Sequence, residues 1–199
     1  MTDPTQILDF WFGPIAADGT VGTSYVPRWW KKDAVFDDEI RSRFGALHAS
    51  ASVGEYETWC GSAKGRLALI IVLDQFSRNL FRDDPRTWAQ DERALRYASA
   101  ALEGGEDSQL PAVQRPFLYM PFMHAEDLSQ QERCVACFER LVREAAPALT
   151  ESLQGNLRFA KIHRDIVARF GRFPHRNATL GRRSSPEEVE FLTQPNSSF

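Results

Sequence analysis

The run Leu67 to Leu73 is apolar at all seven positions, so whatever it forms must be enclosed on every side. It is far shorter than the roughly 20 residues that carry a helix across a bilayer, which makes it the spine of a water-soluble core. Polar residues follow at once: Asp74, Gln75, Ser77, Arg78 and Asn79. If the helix continues at 100° per residue from Ala63 to about Phe81, then Asp74, Gln75, Arg78 and Asn79 share one arc of about 140°. One turn earlier, Leu67, Ala68 and Ile71 occupy the same arc, so a polar patch continues an apolar face into the interior.

Around this segment the hydrophobic spacing is helical almost everywhere. Residues 4–12 form a short helix behind Asp3 as N-cap, with Pro4 in the tolerated first turn and Gly13-Pro14 as its stop. Phe36, Ile40, Phe44, Leu47 and Ala51 make one stripe along a helix from Asp33 to about Ser52. Further helices are expected over Thr87–Leu102, from a capping box at Ser129–Glu132 to about Ala146, over Leu153–Phe170, and from Ser185, whose Glu188 completes a second capping box. Pro111, Pro116 and Pro121 leave room only for short helical pieces between 111 and 128. No run alternates in the manner of a strand. About seven to nine helices over residues 1–199 predict a single all-α domain, a bundle or an α-α superhelix.

The chain has 24 basic and 27 acidic residues, a formal charge of −3. That balance gives no reason to expect nucleic acid or an anionic membrane as partner. The start carries Asp3 and Asp9 rather than a basic signal region, and three cysteines offer no disulfide framework, so a reducing cytoplasm is the expected compartment. Cys134 and Cys137 have the spacing of a redox pair but fall inside a helix, where they read as small core residues.

Three stretches carry candidate chemistry. At the spine's end, Arg78, Gln75 and Asn79 either pair locally, Arg78 with Asp74 at i,i+4, or aim donors into a cleft. His124 and Glu126 close an aromatic, methionine-rich passage and emerge at the edge of the core. They supply at most two metal ligands, so neither metal nor cofactor is expected. His163 lies on the apolar face of its helix, where a histidine bonded within the core is the ordinary outcome. The loop Gly171–Asn177 follows with Arg172, His175, Arg176 and Asn177. Between Gly155 and Arg183 there are eight Lys or Arg and one acid, Asp165. Such a zone is a solvated face, a basic face opposite acidic helices, or an anion site with bidentate arginine forks.

Four passages taken together resemble the bacterial domain-of-unknown-function family 924: Leu8 to Phe12, Leu73 to Asn79, Tyr119 to His124, and Phe170 to Asn177. The likeness continues through Leu180-Gly181-Arg182 and the last capped helix. It implies an all-helical fold similar to tetratricopeptide-like superhelices, and no activity. Where the family pattern has a small hydroxyl residue after the histidine, this chain has Ala125.

Two functions compete on these residues. One is a small-molecule pocket for an anionic ligand, with His124, Glu126, His163 and His175 as acid–base groups and Gln75, Arg78, Asn79, Arg172, Arg176 and Asn177 as ligand-binding groups; it allows binding with or without catalysis. The other is a tetratricopeptide-like groove for peptides or proteins, the polar motifs serving as internal struts. A purely structural part in a homo-oligomer is a third.

Overall fold

Five helices begin in the same way, with a side-chain oxygen accepting a backbone N–H that the first turn leaves without a partner. Asp3 caps onto Thr5, Asp33 onto Val35 and Phe36, Ser62 onto Gly65, Asp127 onto Gln130, and Ser185 onto Glu188. The computed structural model describes residues 3–198, so Met1 and Thr2 of the amino-terminal stretch lie outside it. Its helices are α1 (Pro4–Phe12), α2 (Val26–Trp30), α3 (Ala34–Ser52), α4 (Ala63–Ile70), α5 (Phe76–Leu80), α6 (Asp91–Glu103), α7 (Arg115–His124), α8 (Leu128–Glu144), α9 (Pro147–Phe170) and α10 (Pro186–Phe191). Among the described residues the only extended pairing is an isolated bridge between Ile15 and Val21, so the fold is all-α.

The spine is central. Leu67 to Leu73 are each at most 1 % exposed. α4 packs against α1, α6 and α7, while α5 faces α3. Farther along, α7 lies on α8 and α8 on α9, each helix beside its predecessor. Phe10, Trp11 and Phe12 of α1 interlock with Phe36, Phe44, Phe76 and Phe117 at ring separations of 4.9–6.1 Å. Gly65 lets α4 pass the preceding turn, because a Cβ there would meet the Trp59 carbonyl at 2.1 Å. A small satellite core of Ile166, Val167 and Phe173, joined by Phe170 and Phe191, fastens the loop after α9 and the last helix. Cys134 and Cys137 are free thiols buried in the main core. No helix among the described residues is long and apolar enough to cross a membrane.

Several boundaries differ from expectation. The spine is interrupted by a π-helical turn at Ile71–Gln75, where the Phe76 N–H reaches back five residues to Ile71. Hydrophobic spacing cannot reveal such a turn, because Leu67 to Leu73 leading into it are apolar at every position and show no phase. α6 begins at Asp91, not Thr87, because Asp84 caps a separate 3-10 turn at Pro85–Trp88. Asp127, two residues before the expected cap, starts α8, and Ser129 donates its hydroxyl to Asp127. α9 starts at Pro147, which uses the first turn's tolerance for proline. α7 runs through Pro121 as one ten-residue helix, since burial on all sides offsets the loss of one backbone bond.

Candidate functional site

The π turn brings Asp74 inward, where its side chain is wholly buried. π bulges within α-helices occur frequently at functional sites. The His124 Nδ1 lies 2.7 Å from Asp74 Oδ1, and Gln75 Nε2 donates to Oδ2 at 2.6 Å. Arg78 Nη1 donates to the Asp74 carbonyl at 2.7 Å and stands 3.3 Å from Oδ1. Burial works against ionising Asp74, but Arg78 and His124 outweigh it and hold the carboxyl well below the usual range. Being ionised, Asp74 can only accept, which assigns the proton of neutral His124 to Nδ1 and leaves a lone pair on Nε2. His124 itself is held below its ordinary pKa by burial, then by the Arg78 charge, with Asp74 opposing. It is therefore neutral near pH 7.

Asp91, the first residue of α6, joins this dyad to a second arginine. Arg78 forks onto it at 3.1 and 3.2 Å, and Arg176 Nη1 reaches it at 3.5 Å. Arg176 Nη2 donates to the His124 carbonyl at 3.0 Å. The Arg176 guanidinium lies between the rings of Trp88 and Phe173, 5.4 and 4.6 Å from their centroids. Its Nε is buried and has no hydrogen-bond partner among the described residues. Burial lowers the Arg176 pKa to about 10, Asp91 opposing and Arg78 adding to the fall. This is the least well compensated cation of the group. The cluster reaches the surface at Arg78, Asp91 and His124, whose side chains are 21, 15 and 15 % exposed.

His163 and His175 stand beside it, both in contact with one ring. His163 Nδ1 meets the Phe159 carbonyl at 2.8 Å, and both imidazoles pack on Phe173 at 5.5 and 5.6 Å. Burial pushes His163 down to about 3; burial and the Arg176 charge push His175 down to about 4.

The remaining residues singled out in the sequence go elsewhere. Glu126 accepts the Phe173 N–H at 2.8 Å and a fork from Arg182 at 2.5 and 2.8 Å. Arg172 forks onto Glu188 at 2.7 and 2.8 Å, and Asn177 donates to Ser184 and Glu188. Asn79 donates to Asp37 at 2.7 Å, because five residues set it about 140° from Asp74, on the side of α5 that faces α3. Six of the eight basic residues between 155 and 183 meet acids: Lys161 Glu139, Arg164 Glu132, Arg169 Glu187, Arg172 Glu188, Arg176 Asp91, and Arg182 Glu126. The cationic zone is thus largely a basic face set against acidic partners.

Two surface concavities are formed away from the dyad. One of about 630 Å³ lies between α1 and α3, lined by Asp9, Tyr25, Arg28 and Arg43 among others. The second, about 510 Å³, lies beside α10 and includes Arg172 and Arg183. His124, His163 and His175 line neither. Among the described residues no three His, Cys, Asp or Glu side chains are grouped to hold a metal ion. Sequence reasoning missed Trp88, Asp91 and Arg182. Asp91 carried no signal beyond being an acid inside the expected helix, and Trp88 and Arg182 meet their partners only through the tertiary fold.

The solved structure of ATU0120 from Agrobacterium tumefaciens, described as a protein of unknown function, superposes with a TM-score of 0.80 at 36 % identity, covering 95 % of this chain and 96 % of that one. Comparison with curated proteins gives no match. The profile of the family described as "bacterial protein of unknown function (DUF924)" matches residues 7–196. An all-α chain matched over that span, with the Asp74–His124 pair at its centre, belongs to this family.

Proposed function

We propose that the protein binds a small anionic molecule at the surface edge of the Arg78–His124–Arg176 cluster, and that the Asp74–His124 dyad moves a proton to or from it. The observation that carries this reading is the 2.7 Å bond from His124 to a wholly buried, ionised carboxylate. It orients the ring, fixes the tautomer and leaves Nε2 as the basic atom. Arg78 and Arg176 supply the charge that attracts an anion and steadies negative charge developing on it. Of the ten residues considered at the outset, Gln75, Arg78, His124 and Arg176 act here directly. His163 and His175 serve as the wall that holds Phe173 beneath Arg176.

The test is a thermal-shift screen of anionic metabolites, repeated on Arg176→Gln and His124→Gln. A stabilising hit in the wild type that vanishes in Arg176→Gln, in protein that keeps its helical circular dichroism, supports the site. His124→Gln should retain the hit yet abolish any turnover of it. Hits that survive in Arg176→Gln place the ligand elsewhere and end the proposal.

A further inference from the structure

Among the described residues seven arginines close on a carboxylate through two nitrogens, and they are not equally tight. Arg66 on Glu106, Arg82 on Asp37, Arg86 on Asp84, Arg169 on Glu187, Arg172 on Glu188 and Arg182 on Glu126 all close at 2.5–3.0 Å. Charge-assisted bonds of this kind run near 2.7–2.9 Å. Arg78 on Asp91 stands at 3.1 and 3.2 Å, with Arg176 still farther at 3.5 Å. Asp91 is nonetheless only 15 % exposed, so two guanidinium groups grip a partly enclosed carboxylate loosely. The nitrogen that contributes the fork's 3.1 Å contact also bonds the Asp74 carbonyl at 2.7 Å, so Arg78 is anchored from the Asp74 side and not by Asp91.

Charge counting adds the ligand class. Arg78 and Arg176 bring two positive charges, buried Asp74 brings one negative charge, and His124 is neutral. Glu126 and Arg182 cancel each other. The surplus is one positive charge, which Asp91 now meets. A monoanionic carboxylate in its place keeps the balance, whereas a dianionic phosphate would set an extra negative charge near Asp74. Resting on the anion-binding reading above, we infer that the molecule bound is a small carboxylic acid, and that Asp91 is a built-in competitor occupying the place of its carboxylate between Arg78 and Arg176.

The experiment is a two-dimensional NMR titration at pH 7.5 and low salt. Acetate, propionate and benzoate are the probes and sulfate the contrast, run on wild type, Asp91→Asn, Asp91→Ser and Arg176→Gln. Freeing two arginines from a charged competitor should tighten carboxylate binding by about ten-fold or more in the Asp91 variants. The shifted signals should include the Nε–H groups of Arg78 and Arg176, and sulfate should gain less. Equal carboxylate affinity in wild type and the Asp91 variants overturns the inference; if that binding still needs Arg176, the anion-binding reading survives it. An equal gain for sulfate overturns the carboxylate class. Unfolding of both Asp91 variants makes Asp91 a structural strut and also overturns the inference. No Arg176-dependent binding of any probe, in any variant, removes the inference and its parent reading together.

Discussion

Lowering the pH from 7.5 to 5.5 should cost this fold several kcal/mol, before any carboxylate enters its titration range. His48 and His163 are buried, 5 and 7 % exposed, and burial holds their pKa values at about 4 and about 3. In the unfolded chain a histidine titrates near 6.5. At pH 5.5 the unfolded state therefore binds a proton at each position that the native state refuses. A folded pKa depressed in this way contributes stability that is complete above about 6.5 and is lost as the pH falls toward the native value. Each ring costs ~1.4 kcal/mol at pH 5.5, hence ~3 kcal/mol for the two and up to ~4 if half-buried His175, held at about 4, counts in full. His124, shifted the same way, acts in the same direction. Total stabilities of 5–15 kcal/mol are usual for domains, so the loss would be plain in urea unfolding curves at pH 7.5, 6.5 and 5.5 and constant ionic strength. His163→Gln should lower stability at pH 7.5 yet remove about one ring's share of the pH dependence, ~1.4 kcal/mol. Stability that changes by less than about 1 kcal/mol over this range, or rises, would refute the claim that these imidazoles stay neutral inside the protein.

Asp74→Asn removes the counter-charge of partly buried Arg78 and the acceptor of His124, and should cost about 3–5 kcal/mol in chemical denaturation; a cost below about 1 kcal/mol would mean that Asp91 alone satisfies the arginine. Glu188→Ala breaks the capping box of α10 and the fork from Arg172. The expected loss is about 2 kcal/mol, with faster hydrogen exchange confined to α10. Phe173→Ala takes out a fully buried ring that touches His163, His175 and Arg176. It should cost about 3–5 kcal/mol and move the NMR signals of both imidazoles. Unmoved signals would contradict these ring contacts.

Much of the architecture is legible in the residues because helix signals are local. The stripe on α3, the caps at Asp3 and Ser185, and the closed apolar spine can each be read within a few positions, and all appear as read. The site is less legible because its pairings join distant segments. Arg176 and Asp91 are 85 positions apart, and Glu126 and Arg182 are 56 apart. No periodicity encodes such meetings. Arg78 pairing with Asp74 at i,i+4 and His163 bonding within its helix both follow from short-range rules. That an acid on α6 takes up the other side of Arg78 follows from none. Asn79 shows a different limit: it stands at the far edge of the arc, and only the packing of α5 on α3 supplies Asp37 as its partner.

That wide turn works as a phase shifter. The rod from Ala63 to Leu80 must satisfy α1, α6 and α7 along its first half and α3 along its second. A uniform pitch would present both halves in one fixed rotation. The surplus residue near Ile71 decouples them, so α5 can turn Asn79 toward Asp37 while Arg78 still reaches back to Asp74. Deleting one residue there would give a more regular rod and rotate everything beyond it by about 100°, parting the arginine from Asp91 and the buried carboxylate from its histidine.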